Sequence, residues 1–151
     1  MQSHDISEYT GYLFRRAQQA HVAAWQREVS AEVTSVQFGV MNELSRKPGA
    51  SQQYLCTQLD LDRSTIADIV LRLEKRGLIE RERATADKRR NILRLTAAGE
   101  SEFQALIPRV ARVDSILTDG LDVADAVTLR RILLDLLQSP SVRGLGAPSA
   151  E

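Results

Sequence analysis

The chain has 151 residues, of which 43% are hydrophobic, and its 20 basic and 20 acidic residues give a formal net charge of zero. This length suits a single domain with its own core, and a single cysteine, Cys56, excludes an intrachain disulfide and a zinc site built from cysteines. No apolar run approaches the ~20 residues that cross a bilayer, and the polar N-terminus does not have the form of a signal peptide, so a cytoplasmic location is expected.

Helix start signals mark the first three predicted helices. Asp5 to Glu8 has the form of a capping box and predicts a first helix that runs to about Val29. A second box, Thr34 to Gln37, predicts a helix that Pro48 ends, since proline cannot continue the hydrogen-bond ladder. Ser51 is the expected N-cap of a third, short helix.

The next elements predict a winged helix-turn-helix. Asp62 is the expected cap of a fourth helix, whose apolar residues recur on one face and which Gly77 ends. Two extended runs, 78–83 and 91–95, flank a polar loop and predict a β-hairpin. Three compact helices followed by a hairpin make a DNA-binding lobe of about residues 34–95.

Two further helices are predicted after the hairpin. Thr96 is the expected cap of a long helix in which Pro108 predicts a kink or a later start, and Asp122 opens the last helix. The apolar stripes of the segments 5–30 and 96–138 need a partner, and a second copy of the chain is the simplest one. The expected fold is a single mainly α domain with a small β-hairpin wing, helical dimerisation arms and a flexible tail at 139–151.

The basic residues are concentrated in one part of the chain. Ten of the 20 lie between Arg63 and Arg94, against five acids, so this segment carries a net charge of +5 and the rest carries −5. Such a distribution suits a protein that neutralises phosphates locally, and double-stranded DNA is the expected partner. A solvated helix face and a charged turn would explain any one arginine, but not the concentration of half of all basic residues in this segment.

The predicted DNA-binding residues follow from how such a lobe docks. The second helix of a helix-turn-helix enters the major groove, and a cationic wing tip can reach the neighbouring minor groove or its phosphates. Asp68 either accepts a hydrogen bond from a cytosine amino group or pairs with Arg72 four residues later, and the ion pair is the favoured interpretation. The predicted residues are Ser51, Gln52, Arg63, Ser64, Thr65, Asp68, Arg72, Lys88, Arg89 and Arg90.

Four segments carry a family resemblance: LDRSTI at 61–66, LEKRGLI at 73–79, DKRR at 87–90 and LTAAG at 95–99. Together they closely resemble the MarR family (multiple antibiotic resistance regulators), over about residues 5–138. The resemblance implies an obligate homodimer, joined through its terminal helices, that sits on a pseudo-palindromic operator as a repressor until a small molecule releases it. It also implies that Asp87 braces an arginine. Asp68 is a departure, since relatives often have a basic or neutral polar residue there.

A candidate effector site lies on the first two helices. Phe14, His21 and Trp25 fall nearly on one stripe, and the segments 13–21 and 34–38 are similar to a branch of the family that controls aromatic-acid breakdown. This likeness implies an aromatic carboxylate or its coenzyme A thioester as effector. Each aromatic residue could instead be ordinary core, and His21 a satisfied buried histidine. The candidate residues are Phe14, Arg15, Arg16, His21, Trp25 and Phe38.

Three other classes of protein are alternatives. A winged-helix protein-interaction module would have a neutral or acidic recognition face, which Asp68 favours and Arg63 and Arg72 oppose. A redox-sensing regulator would use Cys56, although such relatives carry their reactive cysteine near the N-terminus. An enzyme is disfavoured because the chain has only two histidines and no Gly-rich phosphate loop, nucleophile elbow or paired metal-ligand motif, so no catalytic residue, metal or cofactor is expected.

Overall fold

The computed structural model describes residues 5–83 and 91–146. Within them, a short 3₁₀ helix precedes the helices and the two strands, and the chain order is that of a winged helix-turn-helix with helical extensions at both ends. The elements are the 3₁₀ helix Ile6–Glu8, α1 (Thr10–Glu28), α2 (Ser35–Arg46), α3 (Gln52–Leu59), α4 (Arg63–Lys75), β1 (Ile79–Arg83), β2 (Asn91–Leu95), α5 (Ala97–Thr118), α6 (Val123–Gln138) and α7 (Pro140–Arg143).

The five helix caps predicted from Thr34 onward are confirmed. Each cap side chain accepts a hydrogen bond from the backbone N–H three residues later, which satisfies one of the donors that a helix start leaves unpaired. Thr34 and Gln37 form the complete reciprocal box, with both hydrogen bonds at 3.2 Å. The caps are Thr34, Ser51, Asp62, Thr96 and Asp122.

Three predicted boundaries differ from the structure. Asp5 accepts from Ser7 N and caps only the 3₁₀ turn, because the extended backbone of Tyr9 separates that turn from α1. α5 runs from Ala97 with Pro108 inside it, so the later start is wrong; the Thr96 cap holds its first turn. Of the tail that was expected to be flexible, residues 140–143 form a helical turn, α7, whose first residue is a proline and therefore gives up no intrahelical hydrogen bond; residues 147–151 lie outside the described residues.

The hairpin is tied to the helices on both sides. At the end of α4, Gly77 has a φ of +71°, and the N–H of Leu78 donates to the Leu73 carbonyl at 3.0 Å, so the chain turns directly into β1. β1 and β2 pair antiparallel with Ile79 opposite Leu95. The loop between α2 and α3 joins the same ladder, since Leu93 N donates to the Ala50 carbonyl at 2.8 Å.

The core lies inside the lobe, and α1 and α5 extend it. Its fully buried large side chains come from α2, α3, α4 and the wing: Met41, Leu44, Leu55, Ile66, Leu73 and Leu93. None of the residues of α6 is buried, whereas each of the helices α1 to α5 has at least one buried residue. Across residues 5–83 and 91–146, no helix has the length and apolar character that a bilayer span requires.

Candidate DNA interface and effector cleft

The turn between α3 and α4 sets the angle of the helix-turn-helix. Asp60 adopts left-handed backbone angles with φ at 51°, a conformation that aspartate tolerates better than most residues. The N–H groups of Asp60 and Leu61 both donate to the Cys56 carbonyl, which closes the end of α3. α4 then begins two residues later, with its N-terminus free of the core.

Asp62 orders the first turn of α4. Its Oδ1 accepts from Thr65 N at 2.7 Å and from the Ser64 hydroxyl at 2.8 Å. The backbone hydrogen bond from Thr65, followed by the hydrogen bond from the Ser64 hydroxyl, lowers the pKa of the Asp62 carboxyl below its usual 3.8. The charged carboxylate at this position also complements the positive end of the helix dipole.

The exposed face of α4 contains most of the residues predicted there. Arg63, Ser64, Asp68 and Arg72 are all exposed, whereas the hydroxyl oxygen of Thr65 is buried at the start of the helix and does not face solvent. Arg72 Nε lies 2.9 Å from Asp68 Oδ2, so these two residues form the ion pair that the sequence favoured over a free carboxylate. On α3, the Ser51 hydroxyl accepts from Tyr54 N, and Gln52 follows it partly exposed.

Several cations of the basic segment are held by acids within the chain. Arg81 makes two hydrogen bonds to Glu74, at 3.2 and 3.1 Å, which brace β1 against α4. Arg76 pairs with Glu102 at 3.0 Å, and Arg94 lies 3.6 Å from Glu82. The charge available to DNA is therefore smaller than the sequence count suggests. Within the described residues, those of the segment that form no ion pair are Arg63, Lys75 and Arg83.

The predicted wing tip lies outside the described residues. Lys88, Arg89 and Arg90, together with Asp87, fall in the segment 84–90. Their roles stay as predictions. The strands that lead into and out of this segment end at Arg83 and begin again at Asn91, which pair with each other.

A cleft opens where α1 meets the loop before α2. Its volume is about 140 Å³. It lies between one of the predicted dimerisation arms and the DNA-binding lobe, since α1 supplies one wall and the start of α2 the other. The lining residues are His21, Val22, Trp25, Gln26, Ser30, Ala31, Thr34 and Ser35.

An aromatic stack supports one wall of this cleft. The rings of His21 and Trp25 lie 5.9 Å apart, and Trp25 packs edge-on against Phe38 at 5.8 Å. Phe38 stacks in turn on Phe103 at 5.3 Å. Trp25 Nε1 donates to the Val33 carbonyl at 2.7 Å, which fixes the indole while its ring is buried. Trp25 is thus both core and cleft wall, whereas Phe38 and Phe103 lie behind it.

The structure does not bring every predicted effector residue to the cleft. Phe14, Arg15 and Arg16 are exposed on the first half of α1, and the Arg15 guanidinium lies over the Tyr12 ring at 5.2 Å. Sequence reasoning missed Ser30, in the loop, and Ser35, the first residue of α2. The capping box at Thr34 marked where α2 begins, but no local signal indicated that this point lies beside the last turns of α1.

Cys56 lies half-buried within α3. No group of three or more histidine, cysteine, aspartate or glutamate side chains that could hold a metal ion occurs in the part of the chain that the structure describes.

Comparison with known proteins places this geometry in a family. The model of the MarR family matches residues 32–90. Over 100 residues, the chain is 40% identical to the transcriptional regulator HosA of Escherichia coli, an overlap that covers 66% of this chain and 73% of HosA.

Solved structures resemble the chain over most of its length. PcaV of Streptomyces coelicolor, in complex with its natural ligand, is 36% identical with a TM-score of 0.87, covering 92% of this chain and 99% of PcaV. BpsR of Bordetella bronchiseptica, whose DNA binding is regulated by 6-hydroxynicotinic acid, is 26% identical with a TM-score of 0.85, covering 91% and 99%. The repressor CouR, bound to a 23-mer DNA duplex, is 29% identical with a TM-score of 0.84, also covering 91% and 99%.

Proposed function

Because the chain belongs to the MarR family of transcriptional regulators, we propose that it is a homodimeric repressor that an aromatic carboxylate, or its coenzyme A thioester, releases from a palindromic operator. The observation that carries this proposal is the exposed face of α4, with Arg63 and Ser64 at its free N-terminal end, in a fold similar to the DNA-bound CouR. Such a helix end is the part that enters a major groove.

The dimer is supported by the apolar side chains that one protomer leaves in solvent. On α6, Val127, Leu134 and Leu137 are 57%, 57% and 59% exposed, and on the N-terminal arm Tyr9 and Leu13 are 56% and 50% exposed. Large apolar side chains exposed in this number are typical of an interaction site. A second copy that covers these arms would set two α4 helices about 34 Å apart, the spacing of successive major grooves.

The remaining predicted contacts would position the dimer. Ser51 and Gln52, at the start of α3, are placed for phosphate contacts, and Lys88, Arg89 and Arg90 are proposed to contact the neighbouring minor groove. Phosphate contacts carry no sequence information, but they make affinity fall steeply with salt.

The cleft between α1 and the start of α2 has room for the aromatic ring of the proposed effector. A cavity of about 150 Å³ accepts one benzene ring, and this cleft has about 140 Å³. Trp25 and His21 supply an aromatic wall, while Gln26 and Ser35 supply polar groups. The thioester of such an acid would enter with its aromatic end and leave its coenzyme A portion outside.

The helical phase of α1 favours one of the two arginines as the cation for the carboxylate. Arg15 is seven residues before Val22 and eleven before Gln26, so it lies on the face that lines the cleft, about two turns away. The residues seven and eleven positions after Arg16 are Ala23 and Arg27, and neither of them lines the cleft. We therefore propose that Arg15 binds the carboxylate of the effector.

Release would follow from the location of the cleft. A ligand that contacts both α1 and the start of α2 binds best at one angle between arm and lobe, and so favours one spacing of the two recognition helices. It can shift DNA affinity only by the difference between its affinities for the two spacings.

The deciding experiment is binding of the purified chain to DNA from upstream of its own gene, at two salt concentrations and with a panel of benzoates, cinnamates, hydroxylated pyridine carboxylates and their thioesters. Saturable, salt-sensitive binding that one compound abolishes is expected. Binding that no panel compound affects would contradict the effector assignment and leave the DNA-binding assignment intact. Absence of binding to that DNA and to operators selected from random sequence would favour a protein-interaction module instead.

A further inference from the structure

The exposed surface of α4 consists of two parallel rows of side chains. Residues four positions apart lie above one another on a helix, and the rows lie opposite the buried face formed by Ile66, Val70 and Leu73. All seven members are exposed, and Leu71 keeps 47% of its surface in solvent. One row is Arg63, Ala67, Leu71 and Lys75, and the other is Ser64, Asp68 and Arg72.

The polar row is largely satisfied within the chain itself. The Ser64 hydroxyl donates to Asp62 at 2.8 Å, and Arg72 pairs with Asp68 at 2.9 Å. A side chain held by its neighbour must give up that contact to bind a base through the same atoms. The rows therefore differ in what they offer to DNA, and the polar row offers less than its residue types suggest.

The other row has cations at its ends and an apolar pair in its middle. Arg63 and Lys75 form no ion pair with another described residue. Ala67 and Leu71 lie one and two turns after Arg63 on the exposed face of the helix. When α4 enters the groove with its N-terminal end first, Arg63 leads, and Ala67 and Leu71 follow on the face turned toward the base edges.

We infer that Ala67 and Leu71 recognise thymine methyl groups in each half-site of the operator, an inference that rests on the proposed docking of α4 in the major groove. The C5-methyl of thymine is the apolar group that base pairs present in that groove. At any other base, Leu71 would face carbonyl or amino groups of the base edge and displace the water bound to them. Because leucine offers no hydrogen bond in return, binding to those bases would be weaker. The half-site should therefore contain a thymine at a fixed position, on either strand, opposite this pair.

The test uses uracil, which differs from thymine at this edge by the methyl alone. An operator selected from random DNA is rebuilt with uracil in place of one thymine at a time, symmetrically in both half-sites. Loss of one buried methyl group is expected to weaken binding about fourfold per half-site, and so about fifteenfold for the pair. Leu71→Ala should weaken binding to the thymine operator and reduce the uracil effect at the same position, because the two changes remove one contact.

The control is Val36→Ala, which shortens a side chain of similar exposure, 41%, on α2 and should keep the full uracil effect. A uracil effect that survives both Leu71→Ala and Ala67→Ser would overturn the inference. The inference would also be overturned if the operator is bound tightly and no single thymine-to-uracil change weakens binding. Failure to select any operator would instead overturn the proposed DNA binding, so the two failures are distinguishable.

Discussion

The carboxylate of Asp62 links the stability of the recognition helix to pH. It accepts hydrogen bonds from Thr65 N and the Ser64 hydroxyl, and these lower its folded-state pKa below the usual value of 3.8. A group whose pKa is lower in the folded state stabilises the protein above its unfolded pKa. That contribution is lost as the pH falls toward the folded pKa.

Asp62→Ala should lower the free energy of unfolding at neutral pH, because the Thr65 N–H loses its acceptor. The difference between Asp62→Ala and the unaltered chain should shrink as the pH falls below 3.8, because the contribution of the charged carboxylate is lost between its unfolded-state and folded-state pKa values. Urea denaturation at neutral pH and at a pH below 3.8 measures it. Asp62→Ser is the control, since a serine cap accepts the same bond without titrating. An Asp62→Ala difference that stays constant between the two pH values would contradict this account.

Gly99 is required by a close backbone approach. It lies in the first turn of α5, where Thr96 N donates to the Leu78 carbonyl at 3.0 Å, and a Cβ at position 99 would overlap that carbonyl. Gly99→Ala should therefore destabilise the chain by roughly 1–3 kcal/mol, although alanine is the better helix former. Gly120→Ala is the matched control, because no atom lies within 4 Å of its Cβ position. Equal unfolding midpoints for the two variants would contradict the proposed overlap between a side chain at position 99 and the Leu78 carbonyl.

At the scale of elements, short-range signals predicted most helix starts and missed those of α1 and α7. Thr34, Ser51, Asp62, Thr96 and Asp122 cap as expected, since an N-cap bond involves only neighbouring residues. Asp5 has the same pattern but caps a 3₁₀ turn, because the extended Tyr9 interrupts the helix. The pattern shows that a helical turn begins, and not how far it continues.

The basic segment shows a second limit of sequence reasoning. Its net charge of +5 predicted a DNA-binding surface. The structure pairs Arg76, Arg81 and Arg94 with acids from α5, α4 and β1, so part of that charge braces the wing and the lobe. Counting charges cannot separate these roles, because the partners are up to 26 residues apart in sequence.

The phase of α1 leads to a prediction that separates its two adjacent arginines. Arg15→Ala should raise the effector concentration that releases DNA by roughly ten- to a hundredfold, since it removes a charge-assisted hydrogen bond to the carboxylate. Arg16→Ala should leave that concentration nearly unchanged. Fluorescence anisotropy of labelled operator, titrated with the effector, measures both variants. Equal effects of the two substitutions would exclude Arg15 as the specific carboxylate partner.

At the scale of the whole molecule, the arms are incomplete in one protomer. α6 buries none of its residues, although it contains an apolar stripe. The buried core, in contrast, is one cluster that joins the lobe to α1 and α5 and runs from Ala24 to Val113. The apolar stripe of α6 therefore depends on a second chain for burial, whereas α1 and α5 already pack within one protomer.

A variant with Leu134→Asp and Leu137→Asp should be monomeric at micromolar concentration, because dimerisation would bury two unpaired carboxylates. Its helical content should persist, since both leucines are more than half exposed in the protomer. Size-exclusion chromatography with light scattering measures the mass. Leu71→Asp is the control: it alters a similarly exposed leucine on α4 and should stay dimeric while losing operator affinity. A dimeric double variant would remove α6 from the interface.

The sequence by itself determined the fold class, the order of the elements, nearly all helix starts and the family, because caps, apolar periodicity and motifs act between residues close together in the chain. It also predicted the Asp68–Arg72 pair, which spans one helical turn. Only the tertiary structure decided that the Thr65 hydroxyl is buried and that Phe38 lies behind Trp25. It also decided that three of the arginines form ion pairs with acids from other elements. The physical reason is that burial and pairing across elements depend on how helices pack, which local patterns do not encode.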